Sequence, residues 1–522
     1  MISVLKNTGT YIKACVARAY AYKNKPTHLA KQKIRVKKLS TIINNLPTLL
    51  GQEKIQDSQI SYNSYFSTSF PYYTKQHISL IHTSSLTFKV KRCPPELVAP
   101  ANPTPRELKL LSDIDDQKGL RFNVPLVLFF RNDPSMRGKD PVQVIRQALA
   151  KTLEFYYPFA GRLREGPNEK LMVDCTGEGV IFIEADADVT LDQFGTPPRP
   201  PFPCFDQLLY DVPGSNQITN SPLLFIQITR LKCGGFIFAI RMNHTMCDAI
   251  GIVQFMKSLG EIARGAPKPS VIPVWCREML YARDPPRITC IHREYQQLPP
   301  DDQSTSTILQ YCSFFFGPTE IATIRRLLPH HLAQSTSFEV LAAFIWRCRT
   351  IALQLENLNQ EVRLLCYINA RYGRCRLTPP LPDGFYGNAI VSPAAITTVG
   401  KLCSRPLEYA LELTKKARSE VTAEYVLSVA DLMATSGRPP NFSTRPESLE
   451  ISDITKAKFE DVNFGWGKTI YGGVPQGYRT TTVLIPFTNS AGEQGRLVLI
   501  YLPTVVIERF AKEVHDLLNI KE

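Results

Sequence analysis

The feature that most constrains this chain is a strand-turn-helix unit built around one histidine. An apolar run from Phe236 leads into Met242-Asn243-His244-Thr245-Met246-Cys247-Asp248. A helical stripe then runs from Ala249 to Ala263, with Ile252, Phe255, Met256, Leu259 and Ile262 at helical spacing. Such a unit must bury its strand in a sheet and its helix against that sheet, which points to an α/β architecture. A His at a strand end, with a carboxylate four residues on and a helix behind it, is a ready general base for taking a proton from a small acceptor.

The rest of the chain alternates in the same way. Leu86 to Arg92, Phe122 to Arg131, Lys170 to Asp174, Val180 to Glu184 and Leu223 to Leu231 read as strands, with a proline-punctuated connector from Pro94 to Pro105. Pro141 to Phe155 reads as a helix whose inner face holds Val142, Val144, Ile145, Ala148, Leu149 and Leu153. Residues 264 to 307 are rich in Pro, Arg and polar residues and have little periodicity, the mark of an interdomain crossover. Beyond it come a strand near Ile308 to Phe316, helices at Pro318 to Leu328 and Ser337 to Leu353, a strand at Val362 to Asn369, a helical region from Pro406 to Ala434, and a strand-helix pair at Arg496 to Leu502 and Val505 to Leu518. The expected organisation is two α/β halves, residues 84–275 and 308–522, joined by a crossover at 276–307, with a cleft between them suited to a small molecule.

Composition excludes several classes. With 44% apolar and 21% charged residues, the 522-residue chain can bury a large core, yet no apolar stretch approaches the ~20 residues of a membrane span. Thirteen Cys occur without a Cys-x-x-Cys pair or metal-ligand spacing, which argues for reduced thiols and a cytoplasmic location, and against a structural zinc. Asn243-His244-Thr245 agrees, since a secreted protein would risk a glycan on the candidate base itself. The net charge of +14 is unevenly placed: residues 1–83 hold 12 Lys/Arg against two acidic residues, and residues 84–522 hold 49 against 45. Nucleic-acid binding is therefore not expected of residues 84–522. Three readings of residues 1–83 compete: an organelle transit peptide, an electrostatic arm for a membrane or nucleic acid, and a disordered extension or misplaced start.

A His with Asp four residues later arises by chance about 0.4 times in a chain with eight His, so the first motif needs support. It comes from Asn463-Phe464-Gly465-Trp466-Gly467-Lys468, far downstream and rich in a residue type of which the chain has only three, Trp. Together the motifs resemble those of the plant BAHD acyl-CoA-dependent acyltransferases, His-x-x-x-Asp followed by Asp-Phe-Gly-Trp-Gly. From Leu86 onward the chain is most similar to the branch of benzyl alcohol benzoyltransferases and alcohol acyltransferases. The stretches carrying this are Leu111 to Gln117, Pro158-Phe159-Ala160-Gly161-Arg162, Pro273-Val274-Trp275, Ile288-Thr289-Cys290 and Phe385-Tyr386-Gly387-Asn388.

The resemblance implies two pseudo-symmetric chloramphenicol-acetyltransferase-like domains crossed by a channel, working as a monomer. It implies acyl-CoA as co-substrate, with no tightly bound cofactor and no metal, and a small alcohol as acceptor. His244 would take the hydroxyl proton and return it to the CoA sulfur, without an acyl-enzyme. Asp248 would be structural, with Arg371 in Asn369-Ala370-Arg371 as its partner; a helix N-terminal carboxylate is the physically similar alternative. Asn463 departs from the family's Asp and cannot act as a base, so Asn463, Phe464, Gly465, Trp466 and Gly467 are expected to form a structural loop on the CoA side.

Other readings are weaker. Cys247 beside His244 reads as a packed thiol more readily than as a nucleophile. A Gly-x-Ser-x-Gly elbow is absent, and Gly467-Lys468-Thr469 lacks the earlier Gly of a phosphate-binding loop. His292, His330 and His331 read as core or surface residues. The alternatives to an O-acyltransferase are a silent family member acting as a binding protein and an N-acyltransferase.

Overall fold

Two mixed sheets organise the chain. The computed structural model describes residues 86–202, 205–215, 217–296, 309–440, 447–478 and 481–519. Contacts divide the chain after Tyr72, and all that follows concerns the unit beginning at Tyr73. The readings of residues 1–83 lie outside the described residues.

The first sheet has the order Val90–Arg92, Val180–Ala187, Leu224–Leu231, Phe236–Asn243, Asn123–Phe130, Tyr471–Gly473, with Glu96–Val98 also paired to Val180–Ala187. Val180–Ala187 and Leu224–Leu231 run parallel, and the other neighbours antiparallel. Its central strands are covered on both faces, which is why Phe236 to Ile240 is a continuous apolar run in place of an alternating one: all five residues are fully buried. Helices Pro141–Phe155 and Ala249–Ala263 pack side by side on this sheet. Asp140 caps the first by accepting from Val142 N at 3.2 Å, and Pro141 occupies the first turn, where its missing N–H costs nothing.

The second sheet has the order Leu309–Phe316, Gln494–Pro503, Thr481–Thr488, Ser448–Asp453, Glu361–Cys366, Ala394–Thr398. Helices Pro318–Arg326, Ser337–Leu353, Leu407–Ser419 and Thr504–Leu518 contribute to its core, with Trp346 at the centre. A third apolar cluster joins Ile114, Leu280 and Phe385 to helix Ala423–Thr435. The halves are interleaved: Tyr471–Gly473 leaves the C-terminal half to pair with Val127–Phe129 in the first sheet.

Several expectations need correction. The connector from Pro94 to Pro105 contains the short strand Glu96–Val98, which docks on a sheet edge despite its flanking prolines. The strand expected over Val362 to Asn369 breaks at Tyr367, because Glu361–Cys366 belongs to the second sheet and Ile368–Asn369 pairs with Ile390–Val391. The helical region Pro406 to Ala434 is two helices, interrupted between Ser419 and Ala423, where Thr422 starts the second by accepting from Tyr425 N. The crossover has no strand or α-helix over 264–296; residues 297–307 are not described.

Helix Ala249–Ala263 carries two glycines, each unfavourable in a helix by about 1 kcal/mol relative to Ala. Both sit where other backbone comes close. A Cβ on Gly251 would lie 2.0 Å from the Tyr386 carbonyl oxygen, and one on Gly260 would lie 2.4 Å from that of Asn463. The helix behind His244 is thus gripped near both ends by the C-terminal half. Gly251→Ala should push the helix off Tyr386 and cost about 1–3 kcal/mol, read as a lowered melting temperature in differential scanning fluorimetry.

Candidate active site

His244 stands at the end of strand Phe236–Asn243, and its backbone N donates to Phe122 O at 2.9 Å. The preceding residue shapes the turn. Asn243 is buried, and its Oδ1 accepts from Thr245 N at 3.1 Å and Thr245 Oγ1 at 2.7 Å, locking the backbone on both sides of His244. The imidazole is half-buried, with its ring centroid 5.4 Å from that of Phe122. Burial lowers its pKa from the ordinary 6.5; its own carbonyl, Asp248, Asn388 and Asp115 pull more weakly in the other direction. The ring is therefore neutral at pH 7.

Asp248 begins helix Ala249–Ala263. Its Oδ1 accepts from Ile250 N at 3.1 Å and Gly251 N at 3.0 Å, an N-cap. The same carboxylate takes Arg371 Nη1 on Oδ2 at 2.6 Å, Arg371 Nη2 on Oδ1 at 3.2 Å, and Ala389 N on Oδ2 at 3.1 Å. The sequence offered the helix cap and the arginine pair as alternatives; the geometry has both on one carboxylate. Arg371 also donates to the carbonyls of Gly387 and, through its backbone N, to Asn369 Oδ1.

Three residues not singled out as site residues complete the seat of the turn. Asp115 is fully buried, pairs with Arg277 Nε at 3.1 Å, and accepts on Oδ1 from Asn388 N at 2.8 Å and Asn388 Nδ2 at 2.9 Å. Asn388 Nδ2 also donates to the His244 carbonyl oxygen at 2.8 Å. Arg277, fully buried, donates to Met246 O at 2.7 Å and stacks within 4.5–5.1 Å of Trp275, Tyr386 and Phe385. Segments carrying the family resemblance, 111–117, 273–275 and 385–388, thus converge behind His244. The signal for Arg277 was a cation two residues past Trp275, indistinguishable in sequence from the other Arg of the crossover.

His244 and Asp248 line a cavity of about 1000 Å³ between the sheets, with Val124 and Leu126 on one wall and Thr481 and Val483 on the other. Lys118, Arg374 and Lys456 give part of the lining a basic character. Cys247 does not line it: the thiol is buried, 3.3 Å from Met242 Sδ, and burial pushes its pKa well up, so it is a packed thiol. Apart from the cavity, His331, Glu408 and Glu412 lie close together on the surface, the one grouping at metal-ligand distance among the described residues.

The second motif is not at the base. Phe464 is fully buried against Phe130 and Phe238, at 5.2 and 4.9 Å between centroids, and Trp466 packs on Phe236 at 5.3 Å. Phe236 starts the strand that His244 follows, about 26 Å away at the usual rise. Asn463 Oδ1 accepts from Gly465 N at 2.8 Å, and Gly465 and Gly467 adopt φ of 117° and 78°, which favour glycine. The Asn463 carbonyl accepts from Arg264, at the end of helix Ala249–Ala263. The loop therefore holds the far end of the unit that carries His244, and its five residues do not line the cavity.

Three outcomes follow from this geometry. A pKa below 6.5 places the acid limb of kcat/KM below pH 6.5: activity falls only as pH drops through the lowered value and His244 becomes protonated. Arg371→Ala leaves Asp248 buried without its cation and should cost about 3–5 kcal/mol. Asp248→Asn, which can keep the cap, should lower the melting temperature less than Asp248→Ala.

Comparison with known proteins bears on this arrangement. The profile of the Transferase family matches residues 88–517. The chain is 66% identical over 440 residues to 13-hydroxylupanine O-tigloyltransferase of Lupinus albus, covering 84% of this chain and 97% of that protein. It is 56% identical over 445 residues to benzyl alcohol O-benzoyltransferase of Petunia hybrida, covering 84% and 95%. Its fold is similar to that of vinorine synthase, with a TM-score of 0.62 at 20% identity, covering 82% of this chain and 98% of that one. With a family match over most of its length, the two motifs in family order and an α/β fold of this type, the chain belongs to the Transferase family, the acyl-CoA-dependent BAHD acyltransferases.

Proposed function

We propose that the enzyme transfers an acyl group from acyl-CoA to an alcohol, with the His244 Nε2 as general base. The observation that carries this is a neutral, half-buried imidazole on the wall of a cavity of about 1000 Å³ lying between two sheets. The base takes the hydroxyl proton as the oxygen attacks the thioester carbonyl, and gives it back to the sulfur when the C–S bond breaks. No covalent enzyme intermediate is needed, and the buried Cys247 thiol is not one of the reacting groups. Asp248 and Arg371 hold the turn, and the 463–467 loop holds the helix behind it.

The relatives' activities support bulky donors and acceptors: one is named for tigloyl transfer to 13-hydroxylupanine and another for benzoyl transfer to benzyl alcohol. We take tigloyl- and benzoyl-CoA as first donors, and a cyclic or benzylic alcohol as acceptor. Lys118, Arg374 and Lys456 give the cavity a charge that suits the CoA phosphates. We take the enzyme to work as a monomer, with halves 84–275 and 308–522 joined by 276–307. No helix of the described residues is long and apolar enough to cross a membrane. The eleven free thiols among the described cysteines support work in a reducing compartment such as the cytoplasm.

Release of free CoA thiol from tigloyl-, benzoyl- and acetyl-CoA across a panel of alcohols tests the reading. Alcohol-dependent release that falls by about 10²–10⁴-fold in His244→Ala is the expected result. Equal release by the variant would remove His244 from the chemistry.

A further inference from the structure

Phe122 is an unusual place for a bare aromatic ring. It is 40% exposed, and of the large apolar side chains that stay exposed among the described residues only Phe122 and Tyr372 line the cavity. Phe122 also stands beside the base, with its ring centroid 5.4 Å from that of His244. Its backbone is fixed. The carbonyl accepts from His244 N at 2.9 Å, the N donates to Leu120 O at 2.8 Å, and the next residue, Asn123, opens the strand that pairs with Phe236–Asn243. Arg121 is drawn away to Asp116 Oδ1 at 2.8 Å and to the Glu169 carbonyl at 2.7 Å. Strand alternation then puts Phe122, Val124 and Leu126 on one face, the face that lines the cavity. Tyr478 braces the ring at 6.4 Å between centroids and 72° between planes, while its own hydroxyl reaches Pro125 O at 3.4 Å. The ring thus has two aromatic neighbours and still shows bare surface to the cavity.

We propose that Phe122 is a specificity-determining residue for the acceptor: its bare surface takes the ring of an arylmethanol, an alcohol whose hydroxyl-bearing carbon carries a flat aromatic ring. This rests on the reading of His244 as the general base. A base that takes the hydroxyl proton has the alcohol oxygen within about 3 Å of it, so the alcohol's own skeleton is what comes to lie against the residue beside the base. The acyl carbon stands a further ~3–3.5 Å beyond that oxygen before attack. The wall around Phe122 is hydrocarbon in character. Val124, two residues on, and Met242, which faces Val124 across the sheet, line the cavity without a hydrogen-bond donor on either side chain. The polar lining of Tyr367, Asn369 and Arg374 comes from another segment. An open-chain alcohol would also find apolar surface beside Phe122. Only a flat ring can meet an aromatic face in offset-stacked or edge-to-face contact, which adds to what burial alone supplies. Phe122 neither gives nor takes a proton in this role; it selects which alcohol reaches His244 in a reactive pose.

The test compares kcat/KM on the full chain, with benzoyl-CoA as donor, for alcohols of equal carbon number: benzyl alcohol, cyclohexylmethanol and heptan-1-ol. Phe122→Leu should lower the ratio of benzyl alcohol to heptan-1-ol by about tenfold, and the ratio to cyclohexylmethanol in the same direction. Phe122→Tyr, which keeps the ring, should hold both ratios within about threefold. A general loss of rate, as from a disturbed His244, cancels in such ratios. Ratios indifferent to Phe122→Leu would overturn the inference. So would a loss that follows the donor, with the benzoyl-CoA to acetyl-CoA ratio changed and the alcohol ratios unchanged, because the ring would then face the acyl group. Toluene, which lacks the hydroxyl, decides the matter on the unaltered protein if the variants fail to fold. Inhibition competitive with the alcohol and stronger than that by methylcyclohexane is expected; equal or weaker inhibition, or competition with acyl-CoA, would overturn the proposal. The His244→Ala rate separates the two levels: full activity there defeats the base itself, while its loss alongside unchanged ratios in Phe122→Leu defeats only the role of Phe122.

Discussion

The buried contact between Asp248 and Arg371 is the joint on which the site depends. One carboxylate caps the helix behind His244 and at the same time binds a guanidinium from the segment that follows strand Ile368–Asn369. Two ions taken out of water are worth little net stability and cost much when one is removed. Their value here is geometric. They fix where the helix begins, and so where the strand end with its histidine stops, relative to the residues of the C-terminal half that close the cavity.

The rest of the seat follows the same logic of shared partners. Asn243 ties down the backbone on both sides of His244, Asn388 holds the carbonyl of His244, and Arg277 holds the carbonyl of Met246. The turn is thus held by one side chain of its own and by two from distant segments. At the other end of the helix, close contact at Gly260 and the Arg264 bond to Asn463 make the Phe-Gly-Trp-Gly loop an anchor. The two motifs belong to one mechanical unit: the first forms its working end, and the second secures its far end through aromatic packing on Phe236 and Phe238.

That division of labour explains why Asn at 463 is tolerable where the family has Asp. Its side chain closes a turn onto Gly465 N, which needs only an acceptor, and its carbonyl receives Arg264. Neither job requires a charge. The neutral state of His244 has a similarly local cause: burial at the cavity wall outweighs the nearby carboxylates because each of those is already matched by an arginine.

The sequence alone determined the elements with strong local signals. Helices Pro141–Phe155, Ala249–Ala263 and Ser337–Leu353 announce themselves by apolar period and caps, and the strand Phe236–Asn243 by an unbroken apolar run. It also placed His244 at a strand end and pointed to Asp248 and Arg371. Tertiary structure decided what no local pattern encodes. Strands such as Ser448–Asp453 and Tyr471–Gly473 exist because of the neighbours they pair with. Asp115, Arg277 and Asn388 meet behind the turn although 273 positions separate the first from the last. A buried charge declares itself only through its partner, and those partners are brought together by packing of the two halves, across distances in sequence that periodicity does not reach.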